Sequence, residues 1–173
     1  MSSSNVEVFI PAGRIAERVA ELAAEINRDY AGRSLVAVGI LKGSFMFMAD
    51  LVRHLTMPVR LDFMGTKSYA GTTTSGQVQI TKDLDRPIEN EHVLLVEDIV
   101  DTGLTLTYLK KTLEQRKPLS LKTIAFLDKP SQRRVEVSAD YVGFTIENRF
   151  VVGYGLDFEQ QYRQLPDLCV LVG

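Results

Sequence analysis

The stretch V-L-L-V-E-D-I-V-D-T-G-L-T-L, residues 93–106, decides the fold. Residues 93–96 form a short, wholly apolar run, the pattern of a strand buried on both faces. Leu106, Leu109 and Leu113 then recur at helical spacing. Between the two stand Glu97, Asp98, Asp101, Thr102, Gly103 and Thr105. These polar residues fall at the carboxyl end of a strand, where open α/β sheets hold their ligands. Crowded carboxylates are costly there unless a ligand or cation offsets them. The stretch is therefore both a strand–loop–helix unit and a candidate site.

The flanking chain repeats the alternation. Ile15, Val19, Leu22 and Ile26 mark a helix over residues 13–30, with Gly32 as its stop. Leu35–Leu41 is an almost wholly apolar strand, and Ser44 is placed to cap a helix over 45–54. Residues 59–64 read as the next strand, 65–76 as a polar binding loop or lid, and 77–81 as a returning strand. A charged connection, 82–91, leads into the central strand. After the helix, Lys117-Pro118 breaks the chain before a buried strand over 121–127. The fold class is α/β, with a mostly parallel central sheet and helices on both faces. The tail, 129–173, has short strand-like runs and many aromatics, and reads as a small hood over the carboxyl edge of the sheet.

At 173 residues the chain fits a single domain with a sizeable core. A formal net charge of −2 provides no basic field to draw it to nucleic acid or a membrane surface. The single cysteine, Cys169, lies in an apolar run and reads as a buried thiol, so no intramolecular disulfide forms. Residues 1–5 read as a frayed terminus without a signal-peptide pattern. No apolar run reaches the roughly 18 residues of a membrane span. The expected location is the cytoplasm.

The chemistry of the central stretch is specific. Backbone N–H groups of residues 102–105, at a helix start, suit a phosphate, and the two threonine hydroxyls add donors. Gly103 permits a tight turn. Glu97 and Asp98 are acceptors for the two hydroxyls of a ribose or for a hard cation. Asp101 is left free to exchange a proton. A ribose 5-phosphate with Mg²⁺ nearby satisfies all of these groups. The chain has neither the G-x-x-x-x-G-K-[ST] nor the G-x-G-x-x-G nucleotide fingerprint.

Two acids, two apolar residues and then D-T-G-x-T resemble the phosphoribosyl-diphosphate motif of the type I phosphoribosyltransferases. Across nearly the whole chain the resemblance narrows to the hypoxanthine-guanine phosphoribosyltransferases. It implies a single domain, 1–173, with the hood formed mainly by 129–173 and a mobile loop at 65–80. The implied reaction moves 5-phosphoribose from phosphoribosyl diphosphate to N9 of hypoxanthine or guanine, giving IMP or GMP, with Mg²⁺ as cofactor.

The resemblance also implies residue roles. Asp101 is the catalytic acid/base, and Glu97 and Asp98 hold the ribose and its metal shell. Asp101, Thr102, Gly103, Leu104 and Thr105 form the 5-phosphate loop; Leu104 departs from a lysine found in some relatives. Leu41, Lys42 and Gly43, with an unusual cis peptide before the lysine, bind diphosphate together with Arg163. Ser68 and Tyr69 belong to the mobile loop. Lys129 reads the exocyclic oxygen of a 6-oxopurine, Phe150 stacks on the base, and Ile99 and Val151 complete the purine side. Asp157 adjoins the purine and holds a second Mg²⁺. Family members are homodimers or homotetramers. The rival readings are a transferase preferring xanthine and guanine, one using pyrimidines, and a regulator that senses phosphoribosyl diphosphate while binding nucleic acid.

Overall fold

The computed structural model describes residues 5–69 and 77–173. Six strands form the main sheet. In chain order they are β2 (Leu35–Leu41), β3 (Val59–Tyr69), β4 (Gln77–Lys82), β5 (His92–Val100), β6 (Ser120–Asp128) and β7 (Tyr141–Thr145). Their spatial order is β4-β3-β2-β5-β6-β7, parallel throughout except for the antiparallel β3–β4 pair. Helices α1 (Ala12–Asp29) and α2 (Phe45–Val52) cover one face, and α3 (Leu104–Glu114) covers the other.

The two-residue period of the strands sorts the core. Leu35, Ala37, Leu94 and Val96 pack with Ile15, Val19 and Leu22 of α1 and with Phe47 and Leu51 of α2. Their neighbours Val36, Val38, Val93 and Leu95 pack with Leu106, Leu109 and Leu113 of α3. Both faces of β2 and β5 are thus apolar, as expected for parallel strands sandwiched between helices. Among the described residues no helix is long and apolar enough to cross a membrane. Cys169 is buried and free.

Several bounds differ from the sequence reading. The central strand does not stop at Val96: β5 runs on through Glu97 and Asp98 to Val100, paired with β6 as far as Val100–Asp128. Leu127 and Asp128 supply backbone partners there, so pairing outlasts the apolar run. Residues 65–69 are strand as well, paired with β4 in a hairpin whose backbone bonds need no apolar pattern. Helix α2 closes at Val52, two residues before His54.

Outside the main sheet, β1 (Val6–Ile10), β8 (Val151–Val152) and β9 (Leu168–Leu171) form a small sheet in the order β1-β9-β8. The sequence reading of 129–173 as one hood therefore meets two differences. Tyr141–Thr145 adds to the main sheet beside β6, and the N-terminal strand β1 joins the small one. The Asp167 carboxylate accepts the Ala12 N–H at 2.7 Å, so the small sheet is tied to the start of α1. That bond satisfies one of the helix's unpaired N-terminal donors.

Candidate active site

The chain leaves β2 toward β3 on one side, and β5 leads to β6 on the other. The loops after these adjacent parallel strands therefore diverge, which opens a crevice at their carboxyl ends. Lys42-Gly43-Ser44 follows β2, with a cis peptide between Leu41 and Lys42. Asp101-Thr102-Gly103 follows β5. A third segment, 153–163, closes over the first. A Cβ on Gly155 would lie 2.3 Å from the Gly43 oxygen, and a Cβ on Gly43 would lie 1.9 Å from Asp98 Oδ2. Only glycines allow segment 153–163, the Lys42–Gly43 loop and the end of β5 at Asp98 to meet this closely.

The acids occupy different surroundings. Glu97 is buried, and its Oε1 finds no hydrogen-bond partner. Burial first, then the charges of Asp98 and Asp101, drives its pKa well above the usual carboxylate range. Burial also pushes Asp98 up to about 6, against hydrogen bonds from the Ile99 and Asp98 N–H groups and the field of Arg163. The Ile99 N–H lies 2.7 Å from Asp98 Oδ1. Asp101 is exposed, and its Oδ1 accepts the Thr102 N–H at 2.7 Å. Glu97, Ile99, Asp101, Gly103 and Thr105 line one small cleft, so the buried acid and the loop share an opening.

Gly103 takes a φ of +85° at the entrance to α3, a turn that an L side chain would resist. Leu104 starts the helix, and its N–H bonds Thr102 Oγ1 at 3.3 Å. No acid stands in the first turn to compete for an anion.

On the β2 side, Lys42 Nζ and Arg163 Nη2 both approach Gln160 Oε1, at 3.4 and 3.1 Å. Arg163 also donates to the Gly155 oxygen at 2.7 Å and pairs with Asp157 at 3.4 Å. Lys42, Lys67, Lys82, Arg163 and Gln160 border a cleft of about 500 Å³, a cationic setting for a polyanion. Gln160 was not a sequence candidate. Its signal is geometric: a positive φ of 63° turns it back toward Lys42.

The purine candidates come from separate elements: Ile99 from the end of β5, Lys129 from just after β6, Phe150 from just before β8 and Val151 from its start. Lys129 is half-buried; burial lowers its pKa while the nearby charge of Asp101 raises it, which places ammonium and carboxylate in one field. The Phe150 ring is 57% exposed and stands edge-on to Phe158, itself 44% exposed, at 5.7 Å. A pair of exposed rings in contact forms an apolar platform that the core does not use. Phe158 was missed because a lone aromatic after Asp157 carries no periodic signal. Val151 is buried in β8, and Ile99 lies half-buried in β5. Ser68 stands exposed on β3 opposite Val78 of β4. The Tyr69 side chain and residues 70–76 of the proposed mobile loop lie outside the described residues.

A hard cation prefers oxygen ligands, which Glu97, Asp98 and Asp157 offer. Among the described residues no three such side chains are grouped closely enough to hold a metal unaided. With an unpartnered oxygen on Glu97, the donor set fits a cation that arrives carrying water and ligand oxygens.

A family model described as the phosphoribosyl transferase domain matches residues 10–159, and the chain belongs to that family. Within it, hypoxanthine phosphoribosyltransferase of Haemophilus influenzae is 50% identical over 169 residues, 95% of this chain and 94% of that protein. The hypoxanthine-guanine phosphoribosyltransferase of Bacillus subtilis is 45% identical over 95% of this chain and 92% of its own length. Among solved structures, a hypoxanthine-guanine phosphoribosyltransferase of Bacillus anthracis with HEPES in the active site superposes with a TM-score of 0.93. It is 44% identical over 96% of this chain and 98% of that one. A variant hypoxanthine phosphoribosyltransferase of Trypanosoma cruzi, complexed with the product IMP, has a TM-score of 0.92 and 45% identity, covering 99% and 93%.

Proposed function

We propose that the chain transfers 5-phosphoribose from phosphoribosyl diphosphate to N9 of hypoxanthine or guanine, releasing diphosphate and giving IMP or GMP. The observation that carries the reading is the junction of three segments at the sheet's switch point: Gly155 on Gly43, and Gly43 on Asp98. It brings the Lys42–Gly43 loop and segment 153–163 against Asp98, while Glu97 shares a cleft with Asp101, Gly103 and Thr105, which supports a ribose-phosphate ligand there. The relatives' names supply the base.

Departure of diphosphate leaves an oxocarbenium-like sugar carbon, as in glycoside cleavage. Lys42 and Arg163 stabilise the negative charge that builds on the leaving group. A bound Mg²⁺ supplies Lewis-acid charge neutralisation at the diphosphate, and Asp157, Glu97 and Asp98 are the residues that would hold it, directly or through water. Glu97 and Asp98 take the ribose hydroxyls. The loop at 101–105 grips the 5-phosphate, which fixes the sugar while the base approaches. Phe150 stacks on the purine, Val151 offers backbone groups, and the Lys129 ammonium donates to the exocyclic oxygen. Asp101 accepts the N7 proton as N9 attacks. The segment at Ser68 and Tyr69 is the proposed shield against water. The proposed setting is cytoplasmic, with a homodimer or homotetramer as the assembly.

The test is diphosphate release with hypoxanthine, guanine, xanthine and uracil in turn, with and without Mg²⁺. Turnover with hypoxanthine or guanine that requires Mg²⁺ is expected; preference for xanthine or uracil would overturn the assignment.

A further inference from the structure

Three consecutive carbonyls, the last of β5 and the first two of the loop to α3, are held by the segment that follows β6. The Val100 oxygen accepts the Lys129 N–H at 2.9 Å and Arg133 Nη1 at 3.2 Å. The Asp101 oxygen accepts the same Arg133 Nη1 at 3.0 Å, and the Thr102 oxygen accepts the Arg134 N–H at 2.9 Å. Arg133 is fixed in turn: Nε donates to the Val137 oxygen at 2.9 Å, and Nη2 donates to Asp128 Oδ1 at 2.6 Å. The Arg133–Asp128 pair is mostly withdrawn from water, with side chains 17% and 15% exposed. A planar guanidinium can serve these four acceptors together, whereas a single ammonium cannot.

A trans peptide points its N–H away from its C=O. Tying the carbonyls of Val100, Asp101 and Thr102 to the segment behind them therefore turns the N–H groups of Asp101, Thr102 and Gly103 to the opposite side. The Asp101 carboxylate, which takes the Thr102 N–H at 2.7 Å, marks that side. Successive N–H groups aligned this way form an anion-binding concavity. The backing combines Arg133 with two valines: a Cβ on Gly103 would lie 2.5 Å from Val137 Cγ1 and 3.2 Å from Val135 Cγ2. The segment borders a cleft of about 920 Å³ whose lining includes Asp128, Arg133, Arg134 and Val137.

We propose that Arg133 is a positioning residue for phosphate recognition: it aims the loop's N–H groups from behind without touching the ligand. The inference rests on the reading of residues 101–105 as the 5-phosphate loop. Binding of IMP and of inosine, which differ only in the 5-phosphate, separates the two ideas. For the unsubstituted chain, IMP is expected to bind more tightly than inosine; equal affinities would overturn the phosphate-loop reading itself.

If the unsubstituted chain shows that preference, Arg133→Met is expected to lose at least about tenfold in IMP affinity, with inosine affinity kept within about twofold. An unchanged IMP-to-inosine ratio would overturn the positioning role. Equal weakening of both ligands would also overturn it, because it would mark a general structural defect. Arg133→Lys keeps a charge beside Asp128 but loses the fork, so it remains informative should the Met variant fail to fold. It is expected to show the same selective loss at smaller amplitude, and an unchanged ratio in this variant would equally count against the role.

Discussion

Gly43→Ala tests whether the meeting of the three segments is functional. A Cβ at this position would lie 1.9 Å from Asp98 Oδ2, 2.8 Å from its Cγ and 3.3 Å from its Cβ. Ordinary contact begins at 3.4 Å, so the nearest pair is about 1.5 Å too close. The loop cannot simply retreat, because the Gly43 oxygen already stands 2.3 Å from where a Gly155 Cβ would be. If Asp98 swings away instead, it gives up the Ile99 N–H at 2.7 Å. Overpacking of this kind costs about 1–3 kcal/mol. For a chain of this size that corresponds to a fall in Tm of roughly 2–12 °C. The catalytic effect should be larger, since misplacing a reacting group by about 1 Å costs on the order of a hundredfold in rate. Steady-state kinetics with phosphoribosyl diphosphate varied, alongside a thermal melt, read both effects. A folded variant with kcat/KM within about twofold of the unsubstituted chain would refute the reasoning.

Two further substitutions probe Asp98 and the proposed base-reading lysine, Lys129. Asp98 has its pKa raised from 3.8 to about 6, so its ionisation destabilises the folded chain as pH rises through that window, and the penalty is complete above it. Asp98→Asn removes the penalty: without ligand the variant should melt higher than the unsubstituted chain at about pH 7.5, but not at about pH 4. Equal melting temperatures at the higher pH would show that Asp98 carries no such burden. Lys129→Ala should raise the KM for hypoxanthine and guanine by roughly tenfold or more, because a charged donor to the base is lost. Unchanged KM values would remove Lys129 from base recognition.

The main sheet was legible in the sequence because β2 and β5 are apolar on both faces, and α1 and α3 carry clear helical stripes. The strand ends were not, because Glu97, Asp98 and residues 65–69 are held by backbone pairing, which leaves no hydropathy signal. For the same reason β1 was invisible: of Val6–Ile10 only Ile10 is buried, and the strand finds its partner, β9, at the far end of the chain. In the candidate site, the local motif pointed to residues 97–105, and the fold brings Glu97, Asp101, Gly103 and Thr105 to one cleft. Lys129, Phe150, Asp157 and Arg163 were legible only through family resemblance, since none carries a pattern of its own. Gln160, Phe158 and Arg133 stayed hidden, because a polar or aromatic residue there becomes a candidate only when the fold brings its partner close.

The most direct measurement follows IMP formation and diphosphate release together, from phosphoribosyl diphosphate and hypoxanthine, for the unsubstituted chain and Asp101→Asn. The expected result is one IMP per diphosphate in the unsubstituted chain, with kcat falling by roughly 10²–10⁴-fold in the variant while KM for phosphoribosyl diphosphate changes little. Diphosphate released without IMP, or an undiminished rate in Asp101→Asn, would contradict phosphoribosyl transfer to a purine at this site.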